Sequence, residues 1–169
     1  MYDIQVHDEQ QILEIPVGRI TKVIHDVLSY ELVESAEISI AFIDSQTMRR
    51  LNNSHLGHDF DTDVLSFLLE STTPESMPSE LMPAAPRGAG KRIEGEVLVS
   101  PAIAIEAARQ YQWEPTDETL LYVVHGVLHL LGYDDLTDEE REVMVAAESR
   151  HLARWGLVPP GRAPERPIS

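Results

Sequence analysis

Alternating hydrophobic and polar residues predict the strands of this chain. Residues 2–6 and 37–43 alternate at every second position, which is the period of a strand with one buried face. Residues 63–69 and 96–99 are interpreted as two further strands. We therefore expect one small sheet.

Apolar residues spaced three and four positions apart predict the first helix, from Pro16 to about Val33, with the proline in its first turn. Later helices are predicted from capping residues and stop signals. These signals are Ser45 for a short helix, Ser100 for a helix to about Gln112, Thr116 and Gly132 for a helix through Leu131, and Thr137 and Gly156 for the last helix.

The order of strands and helices predicts an α+β fold, with one small mixed sheet packed against helices in a single compact domain over residues 1–156. Residues 71–92 contain four prolines and two glycines, and we expect a mobile loop there, of a length that is usually functional or disordered. Residues 157–169 form a proline-rich C-terminal tail, which we expect to be disordered.

Composition excludes several classes of protein. A chain of 169 residues, 43% of them hydrophobic, can bury the core of one domain. Without cysteine there is no disulfide partner, no thiolate nucleophile and no cysteine-based metal site. We expect no signal peptide, and no apolar run of this sequence approaches the ~18 residues of a membrane span. We expect a soluble, cytoplasmic protein with no membrane partner.

The net charge of −16 argues against nucleic-acid binding, because nucleic-acid-binding proteins usually present a basic face. A local basic cluster can still act, since charges are screened over about 8 Å at physiological salt. The charge also keeps a protein soluble.

The candidate chemistry lies in residues 125–135. His125 and His129 are four residues apart in a predicted helix, so both imidazoles share one face and can converge on a metal ion. Gly132 ends that helix and lets the chain fold back, which offers Asp134 or Asp135 as a third, carboxylate ligand. Three protein ligands leave a position for water, the layout of a catalytic metal site.

The histidine pair also has interpretations other than this metal site. In so apolar a helix, both histidines could be core residues with hydrogen-bonded partners and no metal. The pattern does not favour a zinc protease of the His-Glu-x-x-His kind, because the residue after the first histidine is Gly126 and not the general base.

The segment His125-Gly126-x-Leu128-His129-Leu130-x-Gly132-Tyr133-Asp134 resembles the signature of the YbeY family of metal-dependent endoribonucleases, in which a third histidine follows Tyr-Asp. Two further blocks occur in the family's order. They are Leu51-Asn52 followed by Gly57, Asp59 and Thr62-Asp63-Val64-Leu65-Ser66-Phe67, and then Gly95-Glu96-Val97-x-Val99-Ser100. The resemblance covers about residues 37–135.

This resemblance implies an α+β domain with one zinc ion per chain, held in a cleft by His125, His129 and Asp135, the last at the position of the family's third histidine. It also implies single-strand-specific RNA cleavage in maturation of the 3′ end of small-subunit (16S) ribosomal RNA and in ribosome quality control. Ribosomal RNA and the small ribosomal subunit are the implied partners. Asp134 and Glu96 are candidate general bases, and Asp134 could instead orient a ligand histidine.

The chain departs from the family pattern at three positions. Asp135 brings a negative charge to the site, which we expect to weaken the Lewis acidity of the metal. Two histidines and a carboxylate also suit Fe²⁺, so iron or another divalent metal is an alternative to zinc. Leu56 stands where the family usually has an arginine, and Asp61 replaces its proline.

Five residues are candidates for binding RNA phosphates in place of that arginine: His55, His58, Arg87, Lys91 and Arg92. For the last three, exposed residues of a solvated loop are the favoured interpretation. Leu56, Asp61 and the charge of −16 favour a second function, a metal-stabilised ribosome-biogenesis factor that binds partners with little or no nuclease activity. A hydrolase with another substrate is the third hypothesis.

Overall fold

In a computed structural model, the chain forms a four-stranded mixed sheet with helices on both faces. The structure describes residues 1–56, 63–72 and 86–161, with only the backbone of His55 and Leu56. The strands are β1 (Tyr2–Glu9), β2 (Ser35–Ile43), β3 (Val64–Thr72) and β4 (Arg92–Val99). Their spatial order is β1-β2-β4-β3, in which β3 is antiparallel to β4 and the other pairs are parallel.

The helices are α1 (Val17–Tyr30), α2 (Ser45–Leu56), α3 (Pro101–Tyr111), α4 (Pro115–Leu130) and α5 (Asp138–Ala153). Together with the sheet they confirm the predicted α+β domain. In the part of the chain that the structure describes, no helix combines the length and the apolar character that a bilayer crossing requires.

The strands are longer than the hydrophobic pattern predicts. Backbone pairing with β2 extends β1 to Glu9 and starts β4 at Arg92, four residues before the predicted start. Pairing of backbone groups does not require alternating side chains, so the pattern underestimates such ends. The predicted loop over residues 71–92 is therefore wrong at both ends, which belong to β3 and β4. Its residues 73–85, like residues 162–169 of the predicted tail, lie outside the described part of the chain.

Two of the predicted helix caps are confirmed and two are wrong. The hydroxyls of Ser100 and Thr137 accept hydrogen bonds from Ile103 N and Glu140 N. The cap of α2 is instead the Asp44 carboxylate, 2.7 Å from Thr47 N.

Helix α4 starts at Pro115, one residue before the predicted cap Thr116, because proline is pre-organised for the first helical position. Helix α1 ends at Tyr30, before the end at about Val33 that its apolar pattern predicts. Leu32 there has a left-handed backbone with φ 62°, and Val33 N bonds to Leu28 O in a closing turn.

Helix α4 lies at the centre of the molecule and determines where the histidines are. It packs against α1, α3, α5 and strands β3 and β4. Twelve of its sixteen residues are buried, which explains an apolar sequence that continues around the whole helix. Helix α2 covers the other face of the sheet through Met48, which packs with Ile43 and Leu65.

Candidate metal centre

His125 and His129 lie on one face of α4, as their spacing predicts. Their Nε2 atoms are 3.0 Å apart, and their rings are nearly perpendicular. The His125 side chain is 2% exposed and that of His129 is 16% exposed. The pair therefore has a buried inner end and an outer end that solvent can reach.

Gly126, between the histidines, is the point where α4 touches the sheet. A Cβ atom there would lie 2.5 Å from Val97 Cγ1 and 3.1 Å from Val64 Cγ2. Ser66 Oγ donates a hydrogen bond to Gly126 O at 2.9 Å. The three sequence blocks that carry the family resemblance thus meet at one residue. Because the helix approaches the strands so closely, this position excludes the glutamate of a zinc protease for reasons of packing.

The turn after α4 brings back the third donor. Gly132 has φ +99°, Gly132 N bonds to His129 O, and Tyr133 N bonds to Leu128 O, which together form a Schellman motif. The chain then reverses, and Asp135 Oδ2 lies 3.5 Å from His125 Nε2 and 3.6 Å from His129 Nε2. The Asp134 side chain is 58% exposed, and its Oδ1 lies 3.9 Å from His129 Nδ1 on the other side of that ring.

The three donor atoms fit a divalent cation. Tetrahedral zinc with bonds of about 2.0–2.1 Å separates its ligand atoms by about 3.3–3.4 Å. The three separations here, between the two Nε2 atoms and Asp135 Oδ2, are 3.0, 3.5 and 3.6 Å. Two imidazoles and one carboxylate form a donor set that zinc and iron(II) both accept. His125, His129 and Asp135 therefore form a group that could hold a metal ion.

Glu148, on α5, is a site residue that the sequence interpretation missed. Its Oε2 lies 2.5 Å from His125 Nδ1, the ring nitrogen that points away from the candidate ligands. A carboxylate in this position fixes the tautomer and the orientation of a ligand histidine. Glu148 lies on the buried face of α5 with Met144, Ala147 and Leu152, and an acidic residue on such a face was the available signal.

The site is electronegative at its inner end. Burial lowers the pKa of His125, but its hydrogen bonds to Asp135 and Glu148 and the charges of Glu148 and Asp63 outweigh burial and raise that pKa to about 9. Burial raises the pKa of Asp135, yet the two histidines hold it well below its usual range. The surrounding carboxylates therefore favour positive charge at this point.

The other candidates lie apart from the three donors. Glu96 is exposed on the sheet face opposite α4, because its neighbours Gly95 and Val97 face that helix. It is therefore not placed with the donors as a base. Of the RNA-binding candidates, His58 and the side chain of His55 lie outside the described part of the chain.

The three basic candidates after β3 bond to other parts of the chain. Lys91 Nζ donates to Leu131 O at 3.0 Å, and Arg87 donates to Gly132 O at 3.4 Å. Both residues thus lie at the C-terminal end of α4, close to the turn that carries Asp135. Arg92 is exposed and pairs with Glu34 at 3.0 Å.

The protein is an α+β domain with a candidate metal site at the end of a buried helix. The helix supplies a histidine pair, and the turn after it supplies a carboxylate. The family model of endoribonuclease YbeY matches residues 5–156. The chain belongs to the YbeY family of endoribonucleases, and it is thus a hydrolase.

Individual relatives agree with this assignment. An endoribonuclease YbeY of Salinibacter ruber is 39% identical over 140 residues, covering 82% of this chain and 83% of the relative. One from Protochlamydia amoebophila is 32% identical over 149 residues, covering 88% and 90%. A solution structure of a Thermotoga maritima protein shares the fold, with a TM-score of 0.54 and 22% identity over 95% of this chain and 99% of that protein.

Proposed function

We propose that this protein is a zinc-dependent endoribonuclease that cleaves single-stranded RNA. We further propose that it acts in the cytoplasm on the small ribosomal subunit, in maturation of the 3′ end of 16S ribosomal RNA and in ribosome quality control. The observation that carries the proposal is the triangle of His125 Nε2, His129 Nε2 and Asp135 Oδ2, with sides of 3.0–3.6 Å. Membership of the YbeY family supports RNA as the substrate.

In this proposal, His125, His129 and Asp135 hold the cation, and each has a defined support. Glu148 accepts the Nδ1 proton of His125, which leaves the Nε2 lone pair of that ring for the cation. His125 closes the inner end, while the partly exposed His129 and Asp135 leave access from solvent. When bound, a divalent cation supplies Lewis-acid polarisation of a phosphate and acidifies water at its open position.

Asp134 is the proposed proton acceptor. Its carboxylate is exposed and lies on the accessible side of His129, 3.9 Å from Nδ1. From this solvent-exposed position, a carboxylate can accept a proton from an attacking group through one bridging water molecule. The side chains of Arg87 and Lys91 lie on the carbonyls of Gly132 and Leu131 at the same turn. Together with His55, His58 and Arg92 they are the proposed contacts to phosphate.

One observation favours the second candidate, a metal-stabilised ribosome-biogenesis factor with little or no nuclease activity. Arg87, Lys91 and Arg92 all have acceptors within the protein, in a chain of net charge −16. Side chains engaged in this way have fewer donors left for phosphate, and the charge of Arg92 is also opposed by Glu34. The zinc-dependent nuclease and the binding factor share the metal site and differ in whether RNA is cut.

The test begins with elemental analysis of protein purified without chelator or affinity-tag metal, beside a His125→Ala/His129→Ala variant. We expect about one zinc per chain, lost in the variant. Iron in its place keeps the site and replaces zinc in the proposal.

The loaded protein is then given single- and double-stranded RNA of one sequence. Cleavage of the single strand alone, abolished by His129→Ala and retained by Glu142→Gln on the exposed face of α5, supports the nuclease. Loaded protein that cuts nothing but co-sediments with small ribosomal subunits establishes the binding factor instead.

A further inference from the structure

Glu31, directly after α1, is a buried carboxylate outside the candidate metal group. It is 3% exposed, and its two oxygens have three partners from distant parts of the chain. Oε1 accepts from the Tyr133 hydroxyl at 2.8 Å and from Arg87 N at 3.0 Å. Oε2 lies 2.8 Å from His151 Nε2. One side chain thus joins α1, the segment before β4, the turn after α4, and α5.

The proton on His151 points toward Glu31. Arg154 lies 2.5 Å from His151 Nδ1, and a guanidinium can only donate hydrogen bonds. Nδ1 is therefore the acceptor, and Nε2 carries the hydrogen that Glu31 accepts. Arg154 is in turn held by Asp26, 2.8 Å from its Nε. His151, Arg154 and Asp26 thus fix the orientation of the Glu31 carboxylate through a chain of hydrogen bonds.

Tyr133 connects this network to the metal group. It is fully buried and closes the Schellman motif after His129, two residues before Asp135. Its hydroxyl reaches Glu31 across 102 residues of sequence. Whatever fixes the Tyr133 ring also fixes the direction in which the chain leaves the turn toward Asp135.

The segment 86–91 closes over the same turn and is held by the same carboxylate. The Arg87 guanidinium lies 4.6 Å from the centroid of the Tyr133 ring, while its backbone N–H binds Glu31. Lys91 caps Leu131 O. A Cβ on Gly88 would collide with Val33 Cγ2 and lie 2.9 Å from Glu31 O, so a glycine is needed for the segment to approach this closely.

We propose that Glu31 is a positioning residue for the candidate metal site, which holds Asp135 in place through Tyr133 and holds the segment 86–91 against the same turn. This inference rests on the proposed metal site. A buried carboxylate is costly unless its oxygens are hydrogen-bonded, and here both are. An apolar side chain could fill the space without that cost, but it could not bond three separate segments.

The proposal is tested by zinc affinity and by hydrogen exchange. Zinc dissociation constants are measured by competition with a chromogenic chelator for the wild type, Glu31→Ala, Tyr133→Phe and the double variant. We expect each single variant to weaken zinc binding about tenfold, in the range found for outer-shell partners, and the double variant to be no weaker than Glu31→Ala. In metal-free protein, amide exchange over residues 132–135 should accelerate in all three.

Val23→Ala is the matched control, because it truncates a buried core residue of α1 without touching the network. It should lower the melting temperature and leave the zinc dissociation constant within twofold of wild type. If Glu31→Ala does not fold, the zinc affinity of Tyr133→Phe tests the inference, because this substitution removes only the hydroxyl that bonds to Glu31. Variants that lower the melting temperature as Val23→Ala does, with unchanged zinc affinity and unchanged exchange in the turn, overturn the inference.

These readouts separate this inference from the proposed nuclease activity. Wild-type protein that binds zinc but cuts no RNA ends the nuclease proposal, while zinc affinity and exchange still decide the role of Glu31. Wild-type protein that binds neither zinc nor iron overturns both, because no metal site is then positioned.

Discussion

Glu148 Oε2 lies 2.5 Å from His125 Nδ1, on the side of the imidazole opposite the Nε2 atom that faces His129 and Asp135. The two residues belong to α5 and α4, which pack against each other. The contact makes α5 part of the candidate metal centre although it contributes none of the three donors. It also couples the orientation of His125 to the docking of a second helix.

Glu148→Gln should weaken zinc binding 10- to 100-fold, the usual effect of losing an outer-shell carboxylate. The amide still reaches Nδ1 but carries no charge, so it stabilises the required tautomer less well. Competition with a chromogenic chelator measures the effect. Glu142→Gln makes the same chemical change on the exposed face of α5 and should leave zinc affinity unchanged. Equal affinities in both variants would show that Glu148 only packs.

Asp135→Asn and Asp134→Asn form a second matched pair. Asp135 Oδ2 lies within 3.6 Å of both histidine Nε2 atoms, whereas Asp134 is exposed and lies near His129 Nδ1 only. We expect Asp135→Asn to weaken zinc binding by more than tenfold, because a neutral amide is a poor ligand, and Asp134→Asn by less than threefold. RNA cleavage by the loaded proteins should fall in both. The opposite order of zinc affinities would assign the third ligand to Asp134.

The histidine spacing and the helix stop at Gly132 could be predicted from the sequence because both depend on local geometry. The choice between Asp134 and Asp135 could not be made from the residues alone. It depends on where the chain points after the Schellman motif, and that direction involves Tyr133 and its contact with Glu31, 102 residues away. Only the resemblance to a family pattern placed Asp135 at the ligand position.

The contacts of Glu148, Glu31, Arg87 and Lys91 could not be predicted from the sequence for a similar reason. Periodicity places Glu148 on the buried face of α5 but does not say which helix that face meets. Lys91 and Arg87 were predicted as RNA contacts, and the structure shows them on the carbonyls at the end of α4. A cation at the C-terminal end of a helix is favourable. Which cations reach that end depends on how the segment before β4 packs against the end of α4, and the sequence does not show this contact.

Gly126→Ala should destabilise the protein by about 1–3 kcal/mol, as overpacking of a core usually does. The new Cβ would lie 2.5 Å from Val97 Cγ1, so α4 must move away from the sheet. This cost exceeds the gain in helix propensity, which is up to about 1 kcal/mol for alanine over glycine. Urea unfolding of metal-free protein measures the change.

Gly18→Ala provides the control with the opposite sign. Gly18 lies in α1 with open space around its Cβ position, so the substitution should be stabilising by up to about 1 kcal/mol. If Gly126→Ala were stabilising as well, the close approach of α4 to β3 and β4 would not be a constraint on this residue.

The contribution of Glu31 to stability should depend on pH at the acid end. Burial raises the pKa of this carboxyl, but hydrogen bonds from His151, Arg87 N and Tyr133 outweigh it and hold the pKa below the ordinary value of 4.5. A group whose pKa is lower in the folded state stabilises the protein above the unfolded value, and that stabilisation is lost as the pH falls through the folded value. The free energy of unfolding of the wild type should therefore exceed that of Glu31→Gln by about 1.5–3 kcal/mol at pH 7, a typical value for hydrogen bonds to a charged group.

That difference should shrink as the pH falls from about 5 toward 3, since protonation of Glu31 makes it resemble the neutral amide. Urea unfolding of both proteins in chelator across this range measures it, and keeps any bound metal from contributing. A gap between wild type and Glu31→Gln that stays constant from pH 7 to pH 3 would mean that folding does not lower the pKa of the Glu31 carboxyl.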